Sequence, residues 1–168
     1  MMELWDIYTE DRVKTGRTMV RNDFHMGPDD FHITVLGVVQ HTDGRFLITQ
    51  RVMTKAWAAG HWEVSGGGVQ AGEEPADAVK REVLEETGLD VSKAEGGYVF
   101  SYKRVNPDEG DNYFVDIYRF VMDFKEEDLK LQAEETMGYK LATKEEIAEL
   151  GKQKIFLHYD SIKQVFDL

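Results

Sequence analysis

The chain has 168 residues, no cysteine, 42% hydrophobic and 31% charged residues, and a formal charge of −12. That balance describes an ordinary globular chain long enough for one hydrophobic core, and it excludes a disulfide scaffold, a thiolate metal site and a cysteine nucleophile. So acidic a surface disfavours a nucleic-acid partner, whose affinity comes mostly from Lys and Arg, and no run of about eighteen apolar residues offers a transmembrane helix.

The opening residues, "MMELWDIYTEDRVK", carry acids and no apolar run, so they do not read as a signal peptide. With the missing cysteines this fits a cytoplasmic protein. We read one domain over 1–168, in which residues 1–30 form an extension packing on the core and Trp5 seats an added N-terminal strand. Two β-branched runs follow, "FHITVLGVV" and "RFLITQR", separated by the turn residues "HTDG". A short run, "HWEVS", leads into "GGG". From Pro75 to Thr87, Ala76, Val79, Val83 and Thr87 recur at helical spacing, with Pro75 suited to the first turn and Gly88 to a left-handed cap. Strands are predicted at "GYVFSYKRV", "YFVDIYRFVM" and near "GYKLA". "TKEEIAEL" opens with a capping box of Thr143 and Glu146, and "IFLHYDSIKQVF" reads as a closing amphipathic helix. Mixed strands with segregated helices predict an α+β sandwich with a mixed sheet between helices.

The predicted helix raises a question of charge. Glu82, Glu85 and Glu86 lie three and four apart or adjacent, so carboxylates crowd one side, while Val79 and Val83 tie another side to the core. Like charges at such spacing cost roughly 0.2–0.5 kcal/mol per pair. A divalent cation reverses that sign, and Mg²⁺ takes one or two carboxylates together with water and phosphate oxygens. A glycine-led loop lets bare backbone approach the same ion. A solvated acidic face is the commoner fate of such a helix.

Spacing decides between the two. Gly67, Glu73, Arg81-Glu82-Val83, Glu85-Glu86 and Gly88-Leu89 stand at fixed intervals, and seven fixed residues match by chance at about 10⁻⁸ per start site. The segment 67–89 resembles the signature of the Nudix family at every fixed position, and the likeness continues loosely from about 30 to 150. The resemblance implies a loop–helix–loop in an α/β/α sandwich. It also implies Mg²⁺- or Mn²⁺-dependent hydrolysis of a nucleoside diphosphate linked to another moiety. Glu85 and Glu86 match metal-ligand positions, Glu82 a ligand or base, and the Gly66 carbonyl a further ligand. Glu73 and Arg81 match the pair that braces the loop against the helix. For the proton of the attacking water, Glu82 and Glu135 are both candidates, with Glu134 next to the latter. The partner implied is a small-molecule diphosphate; relatives commonly form homodimers, although no interface stripe is visible here.

Upstream, "HMGPDDFH" and "TKAWAAGHWEVS" are similar to the isopentenyl diphosphate isomerase branch of the same superfamily, with His25 and His32 seven apart. That branch needs a cysteine where this chain has Ser65-Gly66-Gly67-Gly68, so hydrolysis is the stronger expectation, and we read both histidines as structural. For substrate binding, Trp57 in a polar loop and Tyr102 on a strand are candidate stacking residues. Arg51, Lys55, Lys103 and Arg104 are candidate phosphate partners. Each aromatic taken singly is better explained by packing.

Overall fold

A computed structural model describes residues 2–167. It contains nine strands: β1 (Leu4–Tyr8), β2 (Lys14–Val20), β3 (His32–His41), β4 (Phe46–Arg51), β5 (Trp62–Glu63), β6 (Ser65–Gly68), β7 (Glu95–Arg104), β8 (Tyr113–Met122) and β9 (Thr136–Ala142). The α-helices are α1 (Pro75–Thr87), α2 (Lys144–Lys152) and α3 (Tyr159–Ile162). The main sheet runs β5-β4-β3-β8-β7, with β6 added on β3 and β9 on β4. Only the central β3–β8 pair in this sheet is parallel, so the sheet is mixed.

Strand alternation divides the core into two layers. On β3, Ile33, Val35 and Val39 face α1, together with Phe114, Tyr118 and Phe120 of β8. The intervening Val38, Val115 and Ile117 face α2 and α3, where Phe46, Ile48, Ile147, Ile162 and Phe166 complete the second layer. The result is the α+β sandwich expected, with α1 on one face and the C-terminal helices on the other. Gly37 draws α1 in: a Cβ there would lie 2.7 Å from Val83 and 2.8 Å from Val79.

Helix α1 has the bounds its sequence predicts, with Pro75 at its start and Gly88 closing it at φ 82°. The capping box of Thr143 and Glu146 forms at α2. Two elements differ from expectation. The "GGG" run is part of strand β6, paired with β3 from Thr34 to Gly37, rather than a bare loop. The closing helix is broken into α3 and a 3-10 turn over Lys163–Asp167. Its first residues are captured instead by β5: Trp62 N–H donates to Ile155 O, Leu157 N–H donates to Trp62 O, and His158 turns the chain at φ 62°.

The N-terminal segment forms a hairpin, β1–β2, as a separate two-stranded sheet. β1 packs against the core through Trp5, Ile7 and Tyr8, all buried. β2 was not predicted; its residues are mostly exposed on both sides, so no alternation marks it.

Candidate functional site

A cleft of about 1,170 Å³ lies where α1, β4–β6 and the loops after β7 and before β9 converge. Strand β6 and helix α1 supply its acidic floor. Each glycine of β6 admits a different neighbour too close for a side chain. A Cβ on Gly66 would meet the Val35 carbonyl at 2.4 Å, one on Gly67 the Glu82 carboxylate at 2.4 Å, and one on Gly68 the Trp5 indole at 2.5 Å. The helix, the hairpin and the central strand are therefore all seated on these three residues.

Arg81 is the hub of the acidic cluster. Its Nε and Nη2 donate to the two oxygens of Glu73 at 2.8 and 3.0 Å, and Nη1 donates to Glu82 at 2.8 Å and Glu85 at 3.4 Å. The Glu73 hydrogen bonds, foremost, hold the guanidinium firmly protonated. Burial works to raise the Glu73 carboxyl, but Arg81 and the Gln70 N–H hold it below its usual value. The repulsion predicted along α1 is thus partly answered by a side chain of the same helix.

Arg81 does not answer all of it. Glu85 points outward, Glu82 is buried, and Glu86 is partly buried beside it. Glu86 accepts from the Gly66 N–H at 3.2 Å and has no side-chain cation as partner among the described residues. Burial first, then the neighbouring Glu82 and Glu63 carboxylates, push its carboxyl well above the ordinary range. Burial also raises Glu82 and Glu63. Among the described residues no three such side chains stand close enough together to grip an ion in this arrangement. The donor set nonetheless fits a hard divalent cation: clustered carboxylates offering oxygen ligands only, with Glu86 lacking a countercharge.

Across the cleft stand the other predicted residues. Glu135 is exposed and paired with Lys55. Arg51 is largely committed, donating to Glu63 at 3.1 Å and to the Trp57 carbonyl, with its guanidinium 5.2 Å from the Trp57 ring centroid. Trp57 is 59% exposed and lines the cleft with Arg104. Tyr102 lines a side recess instead, and Lys103 turns away to Glu10. Glu134 does not line the cleft.

The two upstream histidines are not brought together. His25 is exposed beside Asp23, whereas His32 is buried, stacked on Trp5 at 4.1 Å and bonded through Nε2 to Asp111 at 2.9 Å. Glu63, Asp111 and His158 are among the cleft residues that escaped the sequence reading. An acid inside "HWEVS", alternating with apolar neighbours, was a signal for Glu63. Nothing local marks the other two, which depend on how distant loops meet.

Comparison with known proteins agrees with this geometry. The NUDIX domain model matches residues 30–163. An uncharacterised Nudix hydrolase of Listeria monocytogenes is 32% identical over 99% of this chain and 95% of its own length. A Deinococcus radiodurans crystal structure superposes with a TM-score of 0.76 over 98% of both chains, at 18% identity. The MutT protein from Methanosarcina mazei gives 0.65 over 82% of this chain and 93% of its own, at 25% identity.

Proposed function

The chain belongs to the Nudix family and is a Nudix pyrophosphohydrolase, and on that premise we propose that it hydrolyses the diphosphate linkage of a nucleoside diphosphate derivative with Mg²⁺ or Mn²⁺. Family members are divalent-metal dependent in general; the particular ion and substrate are the proposal. The observation that carries it is the Glu86 carboxylate, held by the Gly66 N–H and crowded by Glu82 and Glu63, with no side-chain cation as partner among the described residues.

In this reading Glu82, Glu85 and Glu86, with the Gly66 carbonyl, hold the ion. A bound Mg²⁺ or Mn²⁺ supplies Lewis acidity and neutralises the phosphate charge that this acidic chain would repel. The pair Glu73–Arg81 fixes the loop to α1 and with it the height of Gly66 and Gly67 above the carboxylates. Phosphoryl transfer to water needs no nucleophile from the protein.

We assign the general base to Glu135. Glu82 is engaged by Arg81 and packed on Gly67, whereas Glu135 faces the cleft with one lysine beside it. Its carboxylate takes the proton of the attacking water, with the Lys55 ammonium paired beside it. Trp57 and Arg51 border the cleft on the same side as Glu135 and offer a stacking surface for the leaving moiety.

The test is a panel of nucleoside diphosphate derivatives assayed with and without Mg²⁺ for phosphate-containing products. Metal-dependent turnover of at least one, lost in Glu86→Gln with the fold intact, supports the reading. Binding without turnover across the panel overturns it in favour of a nucleotide-binding module.

A further inference from the structure

Beside the acidic floor the cleft opens into a recess of about 190 Å³, lined in part by Phe24, His32, Tyr102, Asp111, Tyr113 and His158. Phe24, Asp111, Tyr113 and His158 also line the main cleft, so the two spaces are continuous. The recess is below the roughly 300–1,000 Å³ of a pocket for a whole drug-sized ligand. It suits a single ring system attached to something lying in the larger space.

Its walls combine aromatic rings with several polar side chains, Asn22, Thr34 and Asp111 among them. His32 stacks on Trp5 at 4.1 Å and on Tyr113 at 5.2 Å, which fixes the imidazole plane. His32 Nε2 lies 2.9 Å from Asp111 Oδ1. An ionised carboxylate only accepts, so Nε2 carries the proton and Asp111 Oδ2 is left without a protein donor. The other imidazole nitrogen, Nδ1, is buried with no hydrogen-bond partner. That nitrogen is sealed from the recess, so the acceptor the recess offers without a protein donor is Asp111 Oδ2.

Asp111 is also held in place. Asn112, fully buried, accepts from the Asn106 N–H at 2.7 Å and donates to the carbonyls of Pro28 and Asp30 at 3.1 and 3.3 Å. Gly110 packs on the Phe24 carbonyl so closely that a Cβ would meet it at 2.4 Å. The loop bearing Asp111 is thereby locked to the segment bearing Phe24, which precedes the stretch matched by the family model.

We propose that this recess takes the nucleobase of the substrate, and that Asp111 selects bases carrying an exocyclic amine over those carrying a carbonyl at the same position. The inference rests on the reading of the substrate as a nucleoside diphosphate derivative. Cytosine and adenine present an amine donor where uracil and hypoxanthine present a carbonyl acceptor. A carboxylate oxygen accepts from the first pair and repels the second. The aromatic walls bind any base face, so they contribute affinity without choice.

The experiment measures binding and turnover separately. Calorimetric titration of CMP, UMP, AMP and IMP reads the recess, and Mg²⁺-dependent hydrolysis of the four triphosphates reads the reaction. We expect the amine member of each pair to bind about tenfold more tightly or better. In Asp111→Asn the amide oxygen still accepts from His32 while its NH₂ replaces the free oxygen, so the preference inverts within each pair. Equal affinities within both pairs, an unchanged preference in Asp111→Asn, or no binding of any of the four overturns the proposal. Should the substituted protein fail to fold, the wild-type pairs decide alone. Selective binding without hydrolysis leaves the recess assigned and removes the pyrophosphohydrolase reading of these nucleotides; hydrolysis without selectivity does the reverse.

Discussion

Trp5 lies flat enough against Gly68 that a Cβ on the glycine would fall 2.5 Å from the indole nitrogen. The contact is reinforced next door, where the Ala71 N–H donates to the Leu4 carbonyl at 2.7 Å and the Gly72 N–H to the Asp6 carboxylate at 2.9 Å. The loop that carries the acidic cluster is therefore fastened from outside as well as by Arg81. Trp5→Ala removes a buried indole and should cost about 3–5 kcal/mol in urea unfolding. Gly67→Ala is different in kind: the new methyl displaces Glu82. Its kcat should fall about a hundredfold, as small misplacements of reacting groups do, with the unfolding midpoint nearly unchanged.

Glu86 couples the cluster to pH. Its folded-state pKa is raised by burial and by Glu82 and Glu63, so the folded chain keeps a proton that the unfolded chain releases. Stability contributed by this group is full at low pH and is lost as pH rises above the ordinary glutamate value. In a chelator, the wild-type thermal midpoint should therefore fall relative to Glu86→Gln between about pH 5 and about pH 8. Adding Mg²⁺ should raise the wild-type midpoint by roughly 5 °C at saturating concentration. That gain should be larger at the higher pH, because the ion displaces the proton. A midpoint indifferent to Mg²⁺ at both pH values contradicts the assignment.

Arg12 reaches from the β1–β2 turn to the buried Asp116 on β8, donating at 2.7 and 2.5 Å, and Ser101 adds a third donor at 2.7 Å. Asp116 is 2% exposed. Arg12→Ala leaves a buried carboxylate short of its charge partner and should cost about 2–3 kcal/mol, less than for a fully buried pair because the arginine is partly solvated. Arg12→Ala with Asp116→Asn should recover most of that loss. A double-mutant cycle in urea measures the coupling.

The base assignment separates two glutamates. Glu135→Gln should lower kcat by about 10²–10⁴ and leave Mg²⁺ binding unchanged. Glu82→Gln should weaken Mg²⁺ binding instead. The opposite pattern, with Mg²⁺ affinity lost in Glu135→Gln, exchanges the two roles.

What could be read from the chain beforehand was what neighbours in sequence decide. Helix α1 was legible because Pro75, the Val79–Val83 stripe and Gly88 each act within a turn or two. Strands β3, β4 and β8 declared themselves through β-branched runs. The depth of Glu86 was not legible, since it depends on Glu63 arriving from another strand. The break at His158 was hidden because the apolar spacing of "IFLHYDSIKQVF" is helical while its backbone hydrogen bonds are claimed by Trp62. Asp111 became visible only once His32, 79 residues away, was placed beside it.

The hairpin of β1 and β2 precedes residue 30, where the family match begins. A gene trimmed to that boundary would discard Trp5, Asp6, Arg12 and Phe24 together. It would strip the plug from the glycine strand, orphan the carboxylate of Asp116 and open the recess on one side. Such a shortened product should emerge as an aggregation-prone, inactive polypeptide even with every signature residue in place.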